Sequence, residues 1–122
     1  MKCGKIIELK LYDFAGQERF RSYFSNFYIK KKDSIIILGF DVPDKSTLLS
    51  IKEYWYPESK NFPNAKLIYL IGNKIDLKRE ILKDEAKNFA EENNLRYFET
   101  SCLTGEGVQE FFKDLVTEIS KI

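Results

Sequence analysis

The sequence predicts an α/β fold: a doubly wound, mostly parallel sheet with helices on both faces. Three observations carry that reading. Apolar runs of strand length recur at Lys5–Leu11, Ser34–Phe40, Lys66–Gly72 and Leu95–Thr100. Between and after them stand segments with helical spacing of apolar residues, and strands joined by helical crossovers lie parallel. The runs ending at Leu11, Gly72 and Thr100 lead straight into short loops rich in Asp, Asn, Gly and Ser. If the strands are parallel, those loops leave one edge of the sheet, where open α/β sheets bind ligands.

Lys5–Leu11 alternates, with Ile7, Leu9 and Leu11 on one face, and reads as a strand. In Arg19–Lys32, the residues Phe20, Tyr23, Phe24, Phe27 and Tyr28 form one helical stripe, which suits a helix packed on the sheet. Lys30-Lys31-Lys32 suits its solvated C-terminus, where cations are favoured. Ser34–Phe40 is almost continuously apolar, as strands covered on both faces are. Asp41-Val42-Pro43-Asp44 reads as a turn, and Asp44 or Ser46 can cap the next helix. Leu48, Leu49, Ile51, Lys52 and Trp55 fit that helix, and Pro57 should end or kink it for want of the N–H that would bond to Glu53. Asn61-Phe62-Pro63-Asn64 reads as a loop and Lys78–Lys83 as a surface connection. Asp84–Asn93 predicts a short helix with Ala86, Phe89 and Ala90 inward. The spacing of Val108, Phe111, Phe112, Leu115, Val116 and Ile119 predicts the last helix.

The 122 residues fit one domain, 1–122, with no internal repeat or linker. A net charge of +1 gives no pull toward nucleic acid or an anionic membrane. No apolar run is long enough to span a bilayer, and none of these residues reads as a signal peptide, so neither is expected. The two cysteines, Cys3 and Cys102, suit a reduced, cytoplasmic protein, and with no histidine they leave too few ligands for a zinc site. The absence of histidine also removes triad chemistry. The chain ends Ile119-Ser120-Lys121-Ile122, without a cysteine for a lipid anchor.

The loops carry the chemistry. In Asp13-Phe14-Ala15-Gly16-Gln17, Asp13 can hold Mg²⁺ directly or through water. Gly16 lets a backbone N–H approach a terminal phosphate, and the Gln17 carboxamide can orient an attacking water. An Asp–Gly turn after a strand also occurs simply as a turn. In Asn73-Lys74-Ile75-Asp76, the Asp76 carboxylate can accept from the adjacent N1–H and amine of guanine, a donor pair that adenine lacks. The Lys74 stem can lie over a base. Small residues at Ser101 and Cys102 leave backbone N–H groups free to reach the guanine oxygen.

These residues resemble the small GTPases, and the Rab branch in particular, through Asp13-Phe14-Ala15-Gly16-Gln17-Glu18-Arg19-Phe20-Arg21-Ser22, Gly72-Asn73-Lys74-Ile75-Asp76-Leu77 and Glu99-Thr100-Ser101-Cys102. The resemblance implies a Rab-like GTPase that hydrolyses GTP with Mg²⁺ as a switch in vesicle traffic. It implies nucleotide contacts from Asp13, Ala15, Gly16, Asn73, Lys74, Asp76, Ser101, Cys102 and Leu103, with Asp13 on the metal and Gln17 on the water. Partners would be exchange factors, GTPase-activating proteins and effectors, the last reading Tyr12, Phe20 and Phe27. The sequence departs from the family at Tyr12, Phe14 and Cys102-Leu103, where Trp, Thr and Ala-Lys are usual. The family's G-x-x-x-x-G-K-[ST] phosphate loop and first switch do not occur in it. The expectation is an N-terminally truncated small GTPase fold that hydrolyses GTP poorly by itself, or a degenerate fold acting as a protein-interaction module. A sheet lacking its central strand is further expected to make the chain oligomeric or poorly soluble.

Overall fold

The computed structural model describes residues 34–62 and 65–121. Three parallel strands, β1 (Ser34–Asp41), β2 (Ala65–Asn73) and β3 (Arg96–Glu99), pair in the order β1-β2-β3. They match the apolar runs of the sequence, with small shifts at the ends. The strand expected at Lys5–Leu11 and the helix expected within Arg19–Lys32 lie outside the described residues.

Helical crossovers impose the parallel pairing, because a chain leaving one end of a sheet must return to the other end to run the same way. Between β1 and β2 run α1 (Lys45–Ser50), a π-helical turn (Ile51–Trp55) and α2 (Tyr56–Ser59), end to end. The helix α3 (Lys83–Glu92) joins β2 to β3, and α4 (Val108–Ile119) follows β3. Asp44, rather than Ser46, caps α1, accepting from the Ser46 backbone N–H at 2.9 Å and the Ser46 hydroxyl at 2.7 Å. The hydroxyl bond and then the backbone bond hold the Asp44 carboxyl below its ordinary pKa.

Pro57 does not end the helix. The ladder widens into the π-helical turn just before it, where the Tyr56 N–H bonds back to the Ile51 carbonyl. The pyrrolidine then enters the first turn of α2, where its missing N–H forfeits no helical bond.

Side chains alternate across the sheet as a pleated backbone requires. On one face Ile36, Leu38, Phe40 and Leu70 pack with Leu48, Ile51, Ala86 and Ala90. On the other, Tyr69 and Ile71 pack with Phe111 and Leu115 of α4. Helices therefore cover both faces, yet β1 is less enclosed than its sequence suggests, because Ile37 is 42% exposed. Leu49 and Phe112, both part of the predicted helical spacing, are 52% and 44% exposed. Each follows a residue that takes the core position, Leu48 or Phe111, and one helical step turns a side chain about 100° away. The segment expected as a surface connection is pinned at Ile81, which is 1% exposed. The N–H groups of Glu80 and Ile81 both bond to the Val42 carbonyl, at 2.9 and 3.0 Å.

A polar clamp fastens α4 to the sheet. The fully buried Tyr69 donates its hydroxyl to Asp114 Oδ2 at 2.6 Å, and Arg96 Nε reaches the same oxygen at 2.7 Å. The Arg96 bond, outweighing burial, together with the Tyr69 bond holds the Asp114 carboxyl below its ordinary pKa. Burial and then the Asp114 bond raise that of Tyr69. Asp114→Asn is expected to cost about 1–3 kcal/mol at neutral pH, since it weakens bonds to a charged acceptor. Because the folded carboxyl has the lower pKa, its contribution is full above the unfolded value of 3.8 and fades as pH falls through the folded value. Thermal melts of both proteins from pH 7 to pH 3 check this: their midpoints converge in acid.

Candidate functional site

Parallel pairing brings the carboxyl ends of β1, β2 and β3 to one edge. Asp41 lies opposite Asn73 in the β1–β2 register, and the Thr100 N–H bonds to the Gly72 carbonyl at 2.8 Å, carrying the β2–β3 pairing forward. Asp41, Asn73 and Thr100 therefore form a polar row across three strand ends. Thr100 donates its hydroxyl to Asn73 Oδ1 at 2.9 Å. The other end of that carboxamide lies over Gly39, where a Cβ would come within 3.3 Å of Nδ2. Asn73 is thereby fixed by contacts from both neighbouring strands.

After Asn73 the chain turns sharply. Lys74 has a left-handed backbone, φ 64°, and its carbonyl accepts from the Leu77 N–H at 3.0 Å. Its ammonium lies 3.1 Å from Asp41 Oδ2. The Ile75 N–H bonds to the Thr100 carbonyl at 3.3 Å, tying this loop to the next one. Asp76 is exposed, and its Oδ1 accepts from the Ser101 hydroxyl at 2.7 Å.

Ser101 is the buried root of the second loop. It has no exposed surface, its N–H bonds to the Glu106 carbonyl at 3.0 Å, and its carbonyl accepts from the Gly105 N–H at 2.8 Å. Its hydroxyl oxygen also accepts from the Thr104 N–H at 3.2 Å. Cys102 and Leu103 form the exposed rim, with a free thiol on Cys102 and Leu103 82% exposed. The structure thus brings together Asn73, Lys74, Asp76, Ser101, Cys102 and Leu103. An exposed carboxylate, fixed at one oxygen and open at the other, can accept hydrogen bonds from a ligand with adjacent donors.

Tyr12, Asp13, Ala15, Gly16, Gln17, Phe20 and Phe27 lie outside the described residues. Among the described residues no group of three or more Asp, Glu, Cys or His side chains could hold a metal ion. No helix there is long and apolar enough to cross a membrane.

Sequence reading missed three supporting groups. Asp41 read as part of a turn, and only the β1–β2 register reveals it beside Asn73 and Lys74. Thr100 carries a hydrogen bond that nothing in its sequence context signals. Arg79 forks onto Glu99, at 3.1 and 2.6 Å, while its Nε bonds to the Ile81 carbonyl at 2.9 Å. Burial alone would raise the Glu99 pKa, but the bonds from Arg79 and Tyr97 outweigh it and the carboxyl sits below its ordinary value. This pair joins the base of the first loop to β3, immediately before Thr100 and Ser101.

The second loop closes at Gly107, with φ 77°, where an added Cβ would sit 1.9 Å from the Glu99 carbonyl oxygen. Gly107→Ala therefore meets both a forbidden contact and a strained backbone, at a cost of about 1–3 kcal/mol or more. The expected outcome is a lower thermal midpoint with the largest amide shifts at Ser101–Glu106, read by NMR. Gly105→Ala is the control, since its left-handed backbone has no neighbour within 4 Å of the added Cβ.

Residues 1–121 match the model of the Ras family. The chain is 37% identical over 123 residues to the Ras-related protein Rab-4B of Rattus norvegicus and equally to that of Homo sapiens. Those alignments cover 98% of this chain and 56% of each relative. It is 40% identical over 112 residues to the Ras-related protein Rab-4 of Dictyostelium discoideum, covering 89% of this chain and 53% of that protein. The chain thus spans about half the length of the curated relatives it matches. With that match along its length and a parallel α/β sheet whose loops meet at one edge, the chain belongs to the Ras family, as a Rab-type small GTPase.

Proposed function

We propose that the Asn73–Asp76 and Ser101–Leu103 loops bind the guanine base of GTP and GDP, in a Rab-like protein that switches vesicle traffic by hydrolysing GTP. The observation that carries this reading is the Ser101 hydroxyl donated to Asp76 Oδ1, which holds an exposed carboxylate at the sheet edge. Asp76 accepts from guanine N1–H and its amine, and pays no ordering cost at the moment of binding. Lys74 lays its stem against the ring. The N–H groups of Cys102 and Leu103, unpaired among the described residues, serve the guanine oxygen. Asn73, locked by Thr100, keeps the loop in register.

On the phosphate side, Asp13 is the residue for Mg²⁺, which neutralises developing charge on the phosphates when bound. Gly16, with Ala15 beside it, approaches the terminal phosphate, and Gln17 orients water. Exchange factors, GTPase-activating proteins and effectors are the partners, with Tyr12, Phe20 and Phe27 on the effector surface. Since G-x-x-x-x-G-K-[ST] does not occur in these 122 residues, base contacts dominate their affinity and hydrolysis by them is slow.

NMR titration of the chain with guanosine and adenosine monophosphates tests the reading. Guanosine monophosphate is expected to shift the amides of Asn73–Asp76 and Ser101–Leu103 with a Kd on the order of millimolar, and adenosine monophosphate to leave them in place. Equal responses to the two nucleotides would remove these loops from the role. Asp76→Asn should turn the preference from guanosine toward xanthosine monophosphate, because the amide donates where the carboxylate accepted.

A further inference from the structure

The Lys74 side chain is held at both ends. At its root the backbone is left-handed, φ 64°, and closed by the Leu77 N–H on the Lys74 carbonyl. At its tip the ammonium lies 3.1 Å from Asp41 Oδ2. The two side chains are 56% and 31% exposed, and ion pairs in such solvated positions add little to folding stability. The pair therefore calls for a role other than holding the fold.

We propose that Asp41 is a positioning residue of the base site, one that anchors the Lys74 ammonium at the end of β1 so that the stem is laid out as a wall for the purine and Asp76 is left free. The proposal rests on the base-site reading above. The Asp41 backbone is itself paired and hydrogen-bonded. It lies opposite Asn73 in the sheet, its N–H donates to Thr47 Oγ1 at 2.9 Å, and its carbonyl accepts from the Asp44 N–H at 3.0 Å. The other carboxylate of that turn, Asp44, accepts from the Ser46 N–H and hydroxyl and feels the Lys74 charge, while the direct ion pair of the ammonium is with Asp41.

Two consequences follow from holding the ammonium there. A long stem tethered at both ends, even by a weak solvated pair, samples fewer rotamers, so base binding supplies less of that ordering. The second concerns charge. Lys74 stands two residues from Asp76, the carboxylate that must remain available as an acceptor. An ammonium released from Asp41 can pair with Asp76 and compete with the guanine donors. Asp41 thus acts on the base indirectly, through Lys74.

A double-mutant cycle on the 122-residue chain tests this, with guanosine monophosphate as probe and NMR as readout. Asp41→Asn removes the charge while leaving the backbone bonds of residue 41, so the fold should persist, as amide shifts in β2 and β3 will show. It is expected to weaken binding by about 2- to 10-fold, the range that ordering one long side chain commands. In a Lys74→Met background the same change should have no effect, and Asp41→Glu should restore most of the affinity. A ligand-free readout accompanies the titration: the Lys74 ε-methylene signals, dispersed in the unmodified chain, should collapse toward random-coil values in Asp41→Asn. Equal effects of Asp41→Asn in both backgrounds, or no effect in either, would overturn the proposal while leaving the base site in place. Failure of the unmodified chain to prefer guanosine over adenosine monophosphate would overturn the base-site reading, and this inference with it.

Discussion

Pairing of β2 with a parallel neighbour on each side is the constraint from which the rest of the site follows. Because β1 and β2 are in register from Ile35–Leu67 to Asp41–Asn73, Asp41 cannot avoid Asn73. Because β3 pairs along Tyr69–Gly72, the residue after its last pair, Thr100, arrives beside Asn73 from the other flank. A slip of one residue on either side would turn a member of this row to the opposite face, into the apolar cluster around Phe40 and Leu70. The buried alternation that stabilises the sheet is thus the same feature that aligns the polar edge.

β3 is the short member of the sheet, and polar contacts on both faces secure it. On one side Glu99 takes the Arg79 fork and the Tyr97 hydroxyl, and on the other Arg96 joins Asp114 and Tyr69. The aromatic rings of Tyr69, Phe98 and Phe111 pack edge-on or tilted on the second of these faces. Four residues of strand could not hold a loop as tightly wired as Ser101–Gly107 through backbone pairing alone. The two networks attach the strand to a loop before it and a helix after it, so that Ser101 inherits their rigidity.

Much of this was legible in the chain because it is written locally. Strand runs, a cap at Asp44 or Ser46 and the apolar stripes of α3 and α4 follow from residue spacing over a dozen positions. The loops at Asn73–Asp76 and Ser101–Leu103 are contiguous, so their chemistry could be read before their contacts were known. What escaped depends on which residue meets which at long range. Leu48 and Leu49, like Phe111 and Phe112, both fall within a wide helical stripe, and only packing decides which turns inward. Pro57 reads as a stop or a kink because the widened turn that accommodates it is made by Ile51 and Tyr56, residues with no distinctive signal. Ile81, Arg79 and Asp41 act through partners from 20 to 39 positions away in the chain for which the sequence offers no pairing rule, and only the register of the sheet supplies one.

The close approach of Gly107 to the Glu99 carbonyl bears on how this loop can drift over generations. Its root admits almost no variation: Ser101 is enclosed, and any side chain at position 107 would drive the start of α4 off β3. Its rim is freer at Cys102 and Leu103, whose side chains stand in solvent, whereas Thr104 is tied in, its N–H on the Ser101 hydroxyl and its own hydroxyl accepting from the Glu106 N–H. Descendants of this gene can therefore replace the thiol and the leucine without disturbing Ser101, retuning what the rim offers a ligand while the anchor stays put. The loop separates inheritance into a part that must be copied and a part that is free to explore.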